Sequence, residues 1–314
     1  MARLLIRRLM LAGVTLVIIS AVVFGVTEVL PGDAAGIMLG QDVTDEARTA
    51  LRRQLGLDKP GYQRYASWVA GVLRGDLGTS LRMQVPVGPL VWRRLQNSMM
   101  LAGTALLVGV PLALMMGVIG GLNRNRPVDH AVTVSTLILV SLPEFVVAAL
   151  LILLFTAAWP ILPPSSPIDP DASVFGQLQF LVLPTATLVL TMLAYVARMT
   201  RASMARAMDS DYVRAAILRG LPRRRVVLAH ALPNALVPTI TIIAMNIGWM
   251  IGGLVVIETV FGYPGLGRLM IYSIENRDLP LLQAVSLVAA LVYAVANLLA
   301  DLLYAVCNPR IRLA

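Results

Sequence analysis

Lysine, cysteine and histidine are nearly missing from this sequence of 314 residues: Lys59, Cys307 and the pair His130 and His230 are all there are. One cysteine closes no disulfide within the chain and builds no cysteine-rich metal site. The two histidines stand far apart and outside any HExxH spacing. A phosphate-cradling loop needs glycine-rich backbone and a lysine followed by serine or threonine; Lys59 sits in Leu-Asp-Lys-Pro, so this chain cannot supply one. Charge of either sign is scarce at 14% of residues, against about 25% in soluble proteins. Hydrophobic residues make up 58%. A soluble domain could not keep that much apolar surface out of water, so the bilayer is the natural solvent and the two soluble domains that the length would suggest are set aside.

What is abundant is long apolar runs. A hydrocarbon core of ~30 Å takes about 20 apolar residues as helix. Six segments qualify: residues 9–30, a stretch within 95–123, 131–159, 178–197, 236–257 and 279–300. The third is interrupted by Pro143 and Glu144. The first follows Arg3, Arg7 and Arg8 as a secretory signal would, but its apolar run is long and no small-residue cleavage site follows, so it is expected to be a retained helix. An all-α membrane protein of six transmembrane helices follows. Its expected divisions are an amino-terminal segment and first helix (1–30), an extracytoplasmic domain (31–94) and a transmembrane core (95–314). Gly117-x-x-x-Gly121 and Gly248-x-x-x-Gly252 have the spacing that lets membrane helices approach closely.

The net charge of +9 is almost wholly arginine. The arginines cluster beside the apolar spans with no aromatic residues interleaved for base stacking, which sets nucleic acid aside as a partner and leaves membrane lipid as one. Arginines flank the first span, the 124–126 connection, the 198–225 segment and the carboxyl-terminal tail. With six spans, all four groups fall on one side, which the positive-inside rule makes the cytoplasm. Both termini are then cytoplasmic. The 160–177 connection carries Asp169 and Asp171 and no basic residue, which suits the opposite side. Residues 31–94, also outside, mix amphipathic stretches (44–55 and 62–73) with glycine and proline punctuation. The outer loop 258–278 holds Phe261-Gly-Tyr-Pro-Gly-Leu-Gly267, expected to turn or re-enter rather than form helix.

An ion-coupled carrier places ionisable residues well inside its spans. Here Glu28, Glu258, Asp278 and Asp301 fall near span ends, and only Glu144, in Ser-Leu-Pro-Glu-Phe145, sits within one. No nucleophile elbow or carboxylate pair suggests an enzyme, and no catalytic residue is assigned.

The cytoplasmic segment 209–235 is unusual for a connection. Asp209 or Ser210 can cap a helix that begins near Asp211. Tyr212, Ala215, Ala216 and Leu218 or Arg219 follow at helical spacing, and Gly220 and Pro222 stop it. A second short helix is expected from Arg224 to Pro233. By these residues alone, the first helix could seat in a groove of a partner protein or lie on anionic lipid.

The stretch 211–233 resembles the cytoplasmic EAA-type motif of ABC importer permeases. It has an acidic start, paired alanines, glycine, then His-x-Leu-Pro: Asp211, Ala215, Ala216, Gly220, His230, Leu232 and Pro233. The resemblance extends along nearly the whole chain and narrows to the B-type permeases of the dipeptide and oligopeptide group. Its other strings are Val29-Leu-Pro-Gly-Asp33, Leu55-Gly-Leu-Asp58, Gly75-Asp-Leu-Gly-x-Ser80, Pro86-Val87, Ser141-x-Pro143 with Phe145, Glu258 to Gly267, Arg277-Asp278 with Pro280, and 297–304 with Asn308-Pro-Arg-Ile-Arg312. Asn308 replaces the usual acid before Pro-Arg, and Ile217-Leu218-Arg219 replaces a more polar run; both bear on contact with a particular ATPase.

The resemblance implies a permease subunit of an ATP-driven, binding-protein-dependent importer in a bacterial inner membrane, with peptides as the cargo and glutathione, nickel chelates or other small solutes as alternatives. It implies four kinds of company: a C-type second permease, two ATPase subunits, an extracytoplasmic binding protein and lipid. ATP and magnesium would sit on the ATPases, with no cofactor or metal held by this chain. Residues implied in coupling are Asp211, Tyr212, Ala215, Ala216, Arg219, Gly220, Leu221, His230, Leu232 and Pro233. Those implied at the translocation path or outer gate are Pro143, Glu144, Phe145, Glu258, Phe261, Tyr263 and Pro264. An ion-coupled secondary carrier and a membrane-embedded enzyme are the readings from other classes.

Overall fold

In hydrocarbon every backbone polar group must be satisfied within the chain, which restricts an open chain to helices. A computed structural model of the protein describes residues 2–29, 58–168 and 174–307. Among these residues regular structure is helical throughout, apart from an isolated antiparallel bridge between Thr79 and Pro86. The helices are α1 (Ala2–Val29), α2 (Gly61–Leu73), α3 (Val87–Leu122), α4 (Pro127–Ser141), α5 (Glu144–Ile152), α6 (Val174–Met208), α7 (Asp211–Leu218), α8 (Leu232–Val260), α9 (Leu266–Glu275) and α10 (Leu279–Cys307). The amphipathic stretch expected at 44–55 and the strings at 30–57 and 308–312 lie outside the described residues.

Five segments are long and apolar enough to cross a membrane: Ile6–Glu28, Val87–Leu122, Leu178–Met208, Arg223–Val260 and Leu279–Leu302. The crossing expected over 131–159 departs from a single rod. It is built of α4 and α5, which meet at 105°. Pro143 is the cause. Proline drives the residue before it out of the helical region, and Leu142 sits extended at φ −96°, ψ 129°. Past α5 the helix widens into a π-type turn, Leu153–Ala158.

Two boundaries also move. Helix α6 runs on to Met208, so Arg198, Arg201 and Arg206 ride on a continuous helix rather than on a separate connection. The outer 258–278 loop, expected to avoid helix, turns only through residues 261–265 and then forms the ten-residue α9.

The chain divides into two compact units. One comprises Met1–Ser98 and Pro264–Ala294. Its core joins Val87 and Val91 to Leu266, Leu269, Leu281, Ala284 and Val285. Helix α2 leans on α1 through Phe24, Tyr65 and Trp68, whose ring centroids are 5.3–6.1 Å apart. An ion pair from Arg64 to Glu28 and a 2.8 Å hydrogen bond between the Ser20 and Tyr65 hydroxyls reinforce that contact.

Two motifs far apart in sequence close on each other in this unit. Ser80 donates its hydroxyl to Asp278 Oδ2 at 2.5 Å, and the backbone N–H groups of Leu81 and Arg82 donate to the same carboxylate at 3.2 Å. Asp278 also receives the Leu281 N–H at 3.4 Å and so caps α10. Both side chains are fully buried. Leaving the buried Ser80 hydroxyl and Leu281 N–H without an acceptor costs about 1–3 kcal/mol each. Asp278→Ala is therefore expected to loosen the 74–86 loop, read as faster tryptic cleavage at Arg74 or Arg82 in the purified protein. Cleavage at the wild-type rate would show that the carboxylate does not hold the loop.

The other unit comprises Met99–Tyr263 and Val295–Ala314. Helix α6 forms its axis: Leu183, Leu188, Met192 and Val196 pack against Leu101 and Ala105 of α3, Ala148 of α5, and Met250, Leu254 and Ile257 of α8. Of the two expected close-approach motifs, the first seats α3 on α6. A Cβ on Gly117 would lie 2.7 Å from the Ala197 carbonyl oxygen, and one on Gly121 only 2.7 Å from Met204 Cβ. The second does not pack at its far end, since nothing lies within 4 Å of a Cβ on Gly252.

Candidate coupling surface

Helix α7 starts and stops for local reasons. Ser210 has the extended backbone of a helix cap, φ −75° and ψ 152°, but makes no side-chain cap bond. Its hydroxyl donates back to the Ala207 carbonyl at 2.5 Å instead. Asp209, the other expected cap, pairs with Arg124 at 2.5 Å across an exposed surface. At the far end Gly220 takes the left-handed conformation, φ +76°. The Gly220 N–H then donates to Ile217 O at 2.9 Å and the Leu221 N–H to Ala216 O at 3.3 Å. These are the paired bonds of a Schellman cap.

The helix has an inner and an outer face. Val213 and Ala216 are buried against Met204 and Ala207 of α6 and against Val226, Val227, Ala231 and Ala235, with Leu221 packed beside them. Asp211, Tyr212, Arg214, Ala215, Ile217, Leu218, Arg219 and Gly220 point outward. The paired alanines thus part company. Ala215 is available to a partner, whereas Ala216 is small because α6 lies beneath it, a correction to the expectation that both seat the helix against another protein. Leu221 likewise serves the inner face. Conversely, Leu218 is 88% exposed and Ile217 54% exposed, an apolar pair at the tip that the expected site residues omitted. Helical spacing from Asp211 through Arg214, Ala215 and Leu218 marks that face in the sequence.

The second helix begins at Arg223, next to its expected start, but does not end at Pro233. A single turn, Arg223–Arg225, opens into a π-helical segment, Val226–Ala231, that runs without a break into α8. Pro233 falls in the first turn of α8, where a missing N–H costs little. It lies within a continuous run of helix rather than ending one. The extra residue per turn in the π segment lets Val226, Val227 and Ala231 all reach the cluster under α7, and leaves His230 half-buried and Pro233 exposed. The His230 carbonyl accepts a hydrogen bond from Asn234 at 2.8 Å.

Nearby, a buried ion pair ties α4 to α6. Arg201 donates from Nε to Asp129 Oδ1 at 2.7 Å and from Nη2 to Oδ2 at 2.6 Å, and the Asn125 N–H adds a bond of 2.9 Å. Asp129 is 1% exposed. Nothing in the spacing of these residues identified the pair; the one clue is a carboxylate at the mouth of an apolar run among arginines.

The residues expected at a path or gate fall into two groups. Pro143, exposed, makes the α4–α5 bend, and Phe145 is 55% exposed. Glu144 is half-buried in the first turn of α5 and lies against Gly253 of α8, where a Cβ would sit 2.5 Å from its carboxylate. Glu258, Phe261 and Tyr263 are fully buried, and the two rings belong to the core around α6, so none of the three offers a surface to a permeating solute in this structure. Burial first, and the Glu258 carboxylate second, push the Tyr263 hydroxyl well above the ordinary phenol range. Pro264 acts through its backbone, its carbonyl accepting the Asn97 side-chain amide at 2.8 Å. Among the described residues no group of three or more His, Cys, Asp or Glu side chains is arranged to hold a metal ion.

A many-helix membrane chain with a short helix packed across the ends of two long apolar helices has the build of a transport permease. Residues 109–313 match the family described as binding-protein-dependent transport system inner membrane component, and residues 1–98 match the amino-terminal family of the same membrane components. The chain belongs to that family. It is 33% identical to the dipeptide transport system permease protein DppB of Escherichia coli (strain K12), with 99% of both chains covered. It is 34% identical to the probable peptide ABC transporter permease protein y4tP of Sinorhizobium fredii, with 98% of each covered. A putative peptide transport system permease protein of Brucella abortus (strain 2308) is also 34% identical, over 99% of each.

Proposed function

We propose that the chain is a peptide-importer permease that forms half of a translocation pathway and takes its energy from ATPase subunits docked on α7. The observation that carries this is the outward face of α7. A Schellman cap fixes its end, the cluster beneath holds it rigidly, and Leu218 and Ile217 stand in solvent with Tyr212 and Ala215 alongside. Exposed apolar side chains on a rigid helix at a membrane surface call for a groove to bury them. ATP and magnesium belong to the partner subunits in this proposal.

The orientation follows from counting the α4–α5 pair as one crossing despite its bend. If the pair re-entered, the arginines of 198–225 would face the opposite side from those at the amino terminus, against the positive-inside rule. One crossing puts all four basic groups, both termini and α7 in the cytoplasm of a bacterial inner membrane. Residues 31–94 then form the outer domain, and 95–314 the transmembrane core with its coupling segment at 209–235. The path or gate role attaches to Glu144 and Phe145, with Glu258, Phe261 and Tyr263 as packed support.

Purification of the tagged chain from native membrane is expected to bring down a second permease and ATPase subunits, and an extracytoplasmic binding protein under mild conditions. Leu218→Asp, which disturbs no packing within this chain, is expected to lower the recovered ATPase about tenfold or more. Recovery of the chain alone, with uptake that survives ATP depletion and collapses with the ion gradient, would replace this proposal by a secondary carrier.

A further inference from the structure

The turn that follows α8 is shut in this structure, with Phe261 and Tyr263 fully buried. What lies against it is the connection that leaves α5. Ser166 donates its backbone N–H to the Phe261 carbonyl at 2.8 Å, and Ser166 itself is only 1% exposed. Leu162 and Ile168 pack against the core that contains both rings.

Residues 159–168 are built as a stiff arm. Prolines stand at 160, 163, 164 and 167, and each ring fixes its own φ and narrows the residue before it. The root of the arm is tied back on the chain that leads into it. The N–H groups of Ile161 and Leu162 both donate to the Phe155 carbonyl at 3.1 Å, and the Thr156 hydroxyl donates to the Leu162 carbonyl at 2.9 Å. Arm and root join α5 through the π-type turn Leu153–Ala158, a wide turn of the kind common at functional sites. Ala157, Ala158, Trp159 and Pro160 are exposed, which leaves the end of that turn room to bend.

We infer that residues 159–168 form a strap over the turn at Phe261, hinged at the π-type turn and latched by the Ser166 N–H, and that the strap lifts when the transporter opens to the outside. This rests on the permease reading, in which the 160–177 connection is extracytoplasmic. It supplies the movable part that a packed turn otherwise lacks, since Phe261 and Tyr263 offer a solute nothing while they are covered. Lifting costs the Ser166 bond and withdraws Leu162 and Ile168 from the core. The bonds within the root survive, so a stiff arm moves as one piece instead of unravelling.

The chain's only cysteine makes the test direct. Cys307→Ser removes it, and Ser166→Cys then puts one thiol, close to the hydroxyl in size, under the strap. Ser165→Cys, at an exposed position, and Thr187→Cys, buried in α6, are the open and closed controls. The assembled transporter in nanodiscs is treated with methanethiosulfonate ethyltrimethylammonium, first without nucleotide and then with its binding protein, ATP and orthovanadate. Modification of this chain is followed by mass. The thiol at 166 is expected to react at least about tenfold faster in the trapped state, because reaction needs the local opening, while the two controls hold their rates. A thiol at 166 shielded in both states, in a transporter that still takes up peptide, would overturn the inference. If Ser166→Cys stops uptake, hydrogen exchange over 159–168 in the unsubstituted transporter decides instead: exchange at the Ser166 amide should quicken in the trapped state, and unchanged exchange would overturn the strap. ATP-driven uptake by the Cys307→Ser transporter reports separately on the permease reading itself.

Discussion

Gly220→Val is expected to cut ATP-driven uptake about tenfold while the chain stays in the membrane at its normal level. The residue holds φ +76° and a Cβ there meets nothing within 4 Å. The damage is conformational, with no clash to repack. A left-handed backbone costs an L-residue about 1–2 kcal/mol, most for a β-branched one, and here that strain falls on the turn that ends α7. Relieving it breaks the bonds from Gly220 and Leu221 to Ile217 and Ala216, and with them the placement of Leu218 and Arg219 on the docking face. Asparagine tolerates this conformation better than alanine or valine, so Gly220→Asn should retain more uptake than Gly220→Ala, and Gly220→Ala more than Gly220→Val. Uptake of labelled peptide, normalised to permease content by immunoblot, checks the series. Normal uptake with valine would detach α7 from energy coupling.

Asp129→Ala is expected to destabilise the chain by about 1–2 kcal/mol, because it takes the acceptor from a partly buried guanidinium. Arg201 is left with its side chain 31% exposed and no bidentate acceptor, beside Gly120 and Val132. The loss should appear as a lower temperature for loss of the monodisperse protein in detergent. The double variant Asp129→Ala/Arg201→Met, which removes both charges and keeps an apolar stem, should regain most of it. A double variant no more stable than the single would mean that the pair is not what joins α4 to α6 at this point.

Much of this was legible in the sequence. The all-α membrane class, five long apolar helices and a further apolar segment broken at Pro143, and the limits of α7 at Asp211 and Gly220 are all set by run length, proline chemistry and glycine's tolerance of positive φ. The helix over 62–73 was legible from its amphipathic period. Local signals also misled where two outcomes share one cue. Pro233 closes a helix or lies within one, and the choice depends on the π segment before it, which was invisible in the residues. The glycines of 258–278 marked a turn, but they concealed α9, whose small and apolar residues pack on α3 and α10. Paired alanines signalled a close contact without saying with what.

The sequence by itself determined the solvent and the long apolar helices, since each depends on composition over one helix length. It also determined where α7 begins and ends. Only the tertiary structure decided that Ala216 faces α6 while Ala215 faces outward, and that Glu258 and Tyr263 are packed in the core. It alone joined Asp129 to Arg201, and Ser80 to Asp278. These depend on how helices rotate and pack against one another, and contacts between residues so far apart along the chain are set by that packing rather than by any window of neighbouring residues.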